Sequence, residues 1–173
     1  MNEAALAAAG AVGALKLAEL WHARRNAAAL LAAGGVELGR GHYPLIVALH
    51  AAWLLAIATL VPKSAEVSWP LLGLFAGLQL LRLWILASLG RYWTTRVITV
   101  PGAPLVRKGP YRFLKHPNYL VVAAEIAVLP LAFGAWEISI VFSMLNAAIL
   151  SWRLKIENDA LAQRASYSQV MGS

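Results

Sequence analysis

The chain has 173 residues, of which 60% are hydrophobic and 13% charged, with a net charge of +7 and a mean hydropathy of +0.64. A soluble domain is about a quarter charged, so this balance points to a bilayer. Cysteine is absent, which excludes disulfides, thiolate metal sites and a cysteine nucleophile. The positive charge gathers at the ends of apolar runs, so it reads as a topology signal and no nucleic-acid partner is expected.

The first residues, MNEAALAAAGAVGALKLAELWHARRN, lack a basic start and carry Lys16 and Glu19 inside the apolar run. They are read as a retained first span, not a cleaved signal. Five stretches are apolar enough for a bilayer crossing: residues 4–21, 44–61, 67–89, 117–133 and 135–152. Each must be helical, because lipid offers the backbone no partners. The last two are parted by Gly134 and form a tight hairpin whose first arm is short. Trp21, Trp69, Trp93, Trp136 and Trp152 fall near predicted span ends and are read as interfacial anchors.

Lys and Arg concentrate in residues 22–43, 90–116 and the tail after Trp152, Arg164 included, whereas the other side holds Lys63, Glu66 and Glu137. An odd number of spans with the N-terminus outside puts every basic segment on the cytoplasmic face. Between spans three and four, RYWTTRVITVPGAPLVRKGPYRF alternates β-branched residues around Pro101-Gly102 and predicts a short local hairpin. No linker or repeat interrupts the chain, so residues 1–173 are expected to be one membrane domain, with the chemistry in 91–165. The expected fold is an all-α integral membrane protein of about five transmembrane helices. Its cytoplasmic loop and helical C-terminal tail would hold the polar site.

Polar groups within spans are functional candidates by default, and His50, Gln79, Arg82, Glu125 and Asn146 qualify. For Arg82 and Glu125, a buried structural ion pair and a functional site are equally open. His116-Pro117 opens span four, with proline at a tolerated first position beside exposed amides that attract an anion. A basic snorkelling collar explains the same residues. In the tail, Arg153 and Glu157 are i,i+4 neighbours, as are Lys155 and Asp159, a pattern that also suits a solvated helix face. Histidines at 22, 42, 50 and 116 show no metal-binding spacing, and no glycine-rich nucleotide loop follows a strand.

GPYRFLKHPNYL (109–120), followed one helical hairpin later by RLKIEND (153–159), resembles the isoprenylcysteine carboxyl methyltransferase family. That family's pattern is Arg/Lys-His-Pro-x-Tyr, then Arg-x-x-x-Glu-Glu after the final membrane hairpin. The segments 91–106 and 37–54 look like a bacterial branch associated with type III polyketide synthases. The resemblance implies a membrane O-methyltransferase that uses S-adenosylmethionine at a cytoplasmic pocket and takes a lipophilic substrate sideways from the bilayer, with membrane lipids as its other partners. Carried over, Arg153 and Glu157 become the catalytic pair. Tyr111, His116, Pro117, Tyr119, Glu157 and Asn158 would bind the cofactor, and Trp93 and Arg153 the substrate. Trp93, Tyr111, Tyr119 and Trp152 are the aromatic residues at hand for a sulfonium. Asn158 stands where the family has a second glutamate and cannot balance a positive charge.

An acidic enol or carboxylate acceptor is ionised at pH 7 and needs no general base, whereas a phenol near pKa 10 does. On acidity, an acidic enol or carboxylate is favoured. The resemblance to the bacterial branch implies long-chain alkylpyrones or alkylresorcinols as the first expectation and a prenyl-type carboxylate as the second, with small residues Gly73, Ala76 and Gly77 leaving room for the tail. Two rivals are a phospholipid N-methyltransferase and a non-catalytic small membrane protein.

Overall fold

In the computed structural model, residues 1–103 and 106–171 are described, with side chains except at 161 and 163–171. Pro104 and Leu105 of the loop, the Arg164 side chain, and Gly172 and Ser173 lie outside that set. The protein is mostly helical: α1 spans Glu3–Ala32, α2 His42–Leu60, α3 Trp69–Leu89, α4 Pro117–Leu131 and α5 Trp136–Met171. Four helices are long and apolar enough to cross a membrane. Those four, among the described residues, are α1, α2, α3 and α5; the remaining helix, α4, has 15 residues. At 1.5 Å per residue it reaches about 22 Å, short of the roughly 30 Å hydrocarbon layer.

The first helix runs well past its expected end at residue 21. Arg24 and Arg25 do not stop a helix, and the alanine-rich stretch after Asn26 continues it, with Ala23, Ala27 and Leu30 buried. At the other end Asn2 caps α1 by accepting from the Ala5 amide, and its own amide group donates to the carbonyls of Pro62 and Ala65. The α1 start is thereby tied to the loop between α2 and α3. The tail is not a separate element: α5 continues through Arg153 and Glu157 without a break.

Gly134 takes a φ of 68°, so the chain reverses in one turn between α4 and α5, and the Ala135 amide donates to the Pro130 carbonyl at 3.0 Å. Ser139 then donates to the Ala127 carbonyl, fastening the hairpin. The main core collects Trp53 and Ile57 of α2, Phe75 of α3, and Ile126, Leu129 and Phe133 of the hairpin. A second cluster of Ala23, Ile85, Trp93 and Val121 lies beneath the loop side.

The strand expected around residues 97–100 forms, but not as a local hairpin. β2 (Val97–Thr99) pairs antiparallel with β1 (Val36–Leu38) from the loop between α1 and α2, in the register Val36↔Thr99. Alternation in sequence shows that a strand exists and says nothing of its partner. The pairing lashes two loops together on one side of the bundle, and Arg96 on β2's approach ion-pairs with Glu37 of β1 at 3.1 Å.

Of the five predicted anchor tryptophans, Trp21, Trp69, Trp136 and Trp152 are exposed. Trp93 is not: the turn Gly90–Tyr92 swings it inward, leaving it 4% exposed with its carbonyl held by Asn26 of α1.

Deep in the bundle, Arg82 forms a fork on Glu19, at 2.5 and 2.6 Å, and reaches Glu125 at 3.2 Å. Lys16 and Gln79 donate to the same Glu125 carboxylate at 2.7 and 2.9 Å. The Arg82 to Glu125 pair named from sequence is thus part of a four-charge network joining α1, α3 and α4. His50 instead bonds its own helix, at the Ile46 carbonyl, and Asn146 is buried.

Candidate active site

A cavity of about 800 Å³ opens where the strand-bearing loop, the 109–116 segment, the start of α4 and residues 153–160 of α5 meet. Of the residues singled out in the sequence, Trp93, Tyr111, His116, Tyr119, Arg153 and Glu157 line it. Pro117 and Asn158 do not. Pro117 is the buried first residue of α4, and Asn158 accepts from Lys115 at 2.6 Å and from His116 Nε2 at 3.2 Å, fastening the mouth of α4 to α5. Trp152 also stays outside, edge-on to His42 at 6.1 Å.

Arg153 and Glu157 do not pair with each other among the described ion pairs, contrary to a solvated i,i+4 bridge. Both turn to Tyr119. Its hydroxyl donates to Glu157 Oε2 and accepts from Arg153 Nε at 2.7 Å. Arg153 Nη1 donates to the Thr95 carbonyl at 2.7 Å and lies 3.4 Å from His42 Nε2. Nη2 has no partner among the described residues. The His116 ring stacks on Tyr119 at 5.4 Å and places Nδ1 3.6 Å from Glu157 Oε1. An imidazolium has two N–H donors, and both nitrogens of His116 face acceptors. The Glu157 carboxylate accordingly raises the His116 pKa above its usual value, against the opposing pull of burial and Lys115. Burial and the same carboxylate push the Tyr111 phenol up as well, so it stays neutral.

Three polar atoms on residues of the cavity wall, Trp93 Nε1, Thr99 Oγ1 and Asn118 Oδ1, have no partner. Buried polar atoms left alone cost stability and each calls for an explanation; Trp53 Nε1 and Ser143 Oγ are likewise unpartnered away from the cavity. Sequence reasoning missed Thr99 and Asn118 as wall residues, and it missed His42 and Thr95 as the groups holding Arg153. His42 had one visible sign, its place just after Gly39-Arg40-Gly41 in a loop assigned to the same face as the basic stretch.

The family model described as "Isoprenylcysteine carboxyl methyltransferase (ICMT) family" matches residues 71–163, more than half the chain and every residue of the cluster on α4 and α5. The chain belongs to this family. Membership makes it a membrane methyltransferase, and methyltransferases of the family use S-adenosylmethionine. A relative from Bacillus subtilis (strain 168), "Uncharacterized protein YpbQ", is 40% identical over 154 residues, covering 86% of this chain and 90% of that one. Its printed name assigns it no activity. No solved structure matches the chain.

Proposed function

We propose that this family member is an S-adenosylmethionine-dependent O-methyltransferase acting on an ionised oxygen of a lipophilic acceptor. A long-chain alkylpyrone or alkylresorcinol-like enol is the first candidate acceptor, as in the bacterial branch it resembles, and a prenyl-type carboxylate the second. The observation that carries this reading is the Arg153 guanidinium, which lines the cavity: Nε and Nη1 are committed to protein oxygen and nitrogen, leaving Nη2 without a partner among the described residues. A two-pronged grip on a cofactor carboxylate needs two free nitrogens. One free nitrogen suits a single oxyanion.

The residues fit the cofactor. A cavity near 800 Å³ is of the size that drug-sized ligands occupy. Its wall brings Trp93, Tyr111 and Tyr119 and the Glu157 carboxylate to the place a sulfonium would need them. When bound, S-adenosylmethionine supplies a methyl group on a sulfonium sulfur, which an oxygen nucleophile displaces in line. Glu157 and the aromatic rings would offset the cofactor's positive charge, and the α4 start, braced by His116 on Asn158 and Glu157, would hold its polar end. Arg153 Nη2 aligns the acceptor oxygen, and that alignment supplies most of the acceleration. Glu157 is already engaged by Tyr119 and His116, so it is a poor general base. That favours acceptors that arrive ionised.

The wall carries Arg96, Arg107, Arg112, Lys115 and Arg153 against Glu157 alone, a field that repels an amine headgroup. The phospholipid N-methyltransferase alternative is disfavoured on this ground. Lateral access is supported by Gly73, Ala76 and Gly77, which lie exposed along α3; a side chain at either glycine would meet nothing within 4 Å. They sit 12 to 16 residues before Leu89 on the cavity wall, about 18 to 24 Å along the helix, room for an alkyl tail. Charge in the loops supports a topology with the N-terminus outside and the cavity on the cytoplasmic side.

Titrating detergent-purified protein with S-adenosylhomocysteine tests the cofactor. Binding is expected, and none in a folded preparation sinks the enzyme reading in favour of a non-catalytic membrane protein. Incubating membranes with labelled cofactor and identifying the product lipid by mass spectrometry tests the acceptor. A methylated enol or carboxyl oxygen is expected, and a methylated amine ends the O-methyl proposal.

A further inference from the structure

His42 is the first residue of α2, 1% exposed, and far in sequence from the motifs that carry the family pattern. Its ring is wedged between the turn at Gly39 and α5. Gly39 takes a φ of 60°, and a Cβ there would meet Ile156 Cδ1 at 2.6 Å and His42 Nδ1 at 3.2 Å, so only glycine lets the turn lie this close to α5. Trp152 closes the other side. Nε2 lies 3.4 Å from Arg153 Nη1, while Nδ1 faces the Gly39 backbone and makes no full hydrogen bond among the described residues.

A guanidinium has only donors and never gives up its proton. Nε2 facing it must therefore be the bare nitrogen, which leaves the proton on Nδ1. A second cation or a second donor at this position would push Nη1 away from the Thr95 carbonyl.

We propose that His42 is a positioning residue for Arg153: as a neutral acceptor it fixes Nη1 from the side opposite the cavity and so sets where Nη2 points. The inference rests on the reading of Arg153 as the group that aligns the acceptor. It also gives the buried imidazole and the Gly39 turn one common purpose, the aiming of a guanidinium from a different helix.

Long-range nitrogen–proton NMR on histidine-labelled protein in detergent reads the tautomer directly. The Nδ1–H form of His42 is expected, and an Nε2–H form overturns the proposal. Turnover of a long-chain alkyl hydroxypyrone supplies the second readout. His42→Leu lowers kcat roughly 10-fold, the scale of a small misalignment, while S-adenosylhomocysteine affinity stays within about twofold. His42→Gln, whose side-chain oxygen reaches the Nε2 position, recovers most of that loss; His42→Asn, too short to reach, does not. Equal activity of the Gln and Asn variants overturns the proposal even where the leucine variant does not fold. Failure of the underlying reading looks different, because Arg153→Lys would then keep wild-type kcat whatever His42 does.

Discussion

Glu125 on α4 and Glu157 on α5 are both carboxylates drawn into a largely apolar protein, yet their surroundings differ in how completely they are answered. Glu125 is 1% exposed and receives Lys16, Gln79 and Arg82, while Arg82 spends its remaining donors on Glu19. None of these side chains carries an unpartnered buried atom. Two cations and two carboxylates cancel, and the network binds three helices. Around Glu157 the partners are incomplete: among the described residues Arg153 Nη2 has none, and the wall residues Trp93, Thr99 and Asn118 each hold a buried atom without one. Depth in a membrane makes any charge expensive, and a charge with no further task is therefore saturated with partners. Spare hydrogen-bonding capacity, more than burial, marks the place where a ligand belongs. The two regions meet where the Arg82 guanidinium lies 6.0 Å over the Trp93 ring. The saturated network thus braces one wall of the unsaturated cavity.

The largest expected effect separates the regions by function. Arg153→Ala should lower kcat/KM about 1,000-fold, or roughly 4 kcal/mol, the scale of losing a charge-aligning donor. Because the side chain also satisfies the Thr95 carbonyl and Tyr119, a stability loss of about 1–3 kcal/mol should accompany it. Turnover and thermal unfolding of the purified variant measure both. Wild-type turnover would put Arg153 in the same class as Arg82, and the contrast would dissolve.

Glu125→Ala should act the other way round. It strands Lys16 and part of Arg82, at a cost of about 3 kcal/mol, the lower end for a broken buried pair, with the cofactor affinity of the folded fraction little changed. Unfolding curves together with S-adenosylhomocysteine titration read the two quantities. A weakened affinity at unchanged stability would mean that the deep network belongs to the site.

Tyr119→Phe should have a smaller effect than either. The hydroxyl joins Arg153 to Glu157, and its removal frees Nε to swing and leaves the carboxylate held by His116 alone. A loss of about 10- to 30-fold in kcat/KM is expected, or roughly 1.5–2 kcal/mol. A variant as active as wild type would show that Arg153 is aimed by Thr95 and His42 without Tyr119.

Much of this arrangement could be read from the amino-acid order, and the parts that could not share a cause. Apolar runs of 18 or more residues declare themselves as helices in any bilayer-sized fold, and the Lys-His-Pro-x-Tyr and Arg-x-x-x-Glu segments fix which helix ends meet. Pairings between segments 60 or more residues apart leave no local trace. Lys16 and Glu19 were visible as charges in an apolar run, but their partners on α3 and α4 were not. The alternation at 97–99 announced a strand without naming β1 as its mate. Trp93 follows a span end in sequence, the position of an interfacial anchor, and only the turn at Gly90–Tyr92 directs it inward. His42 lies outside the two motifs on α4 and α5, and its significance lies in the atom of α5 that it faces.

The smallest effect tests whether Glu157 truly faces a cation. The carboxylate holds the His116 pKa above its ordinary value of 6.5. A raised histidine pKa contributes stability that is fully present below about pH 6.5 and is lost as pH rises through the raised value. Wild-type protein should therefore melt slightly lower at pH 9 than at pH 6, by on the order of 2 °C, with the difference absent in His116→Gln. Losing the imidazolium also leaves Glu157 less neutralised. If the carboxylate stands beside the sulfonium, S-adenosylmethionine should bind somewhat more tightly over the same rise in pH, while the uncharged thioether of S-adenosylhomocysteine should not. Calorimetry with both compounds at the two pH values compares them directly. Parallel changes for the two would move the sulfonium away from Glu157 and assign that carboxylate to holding Tyr119 and His116 in place.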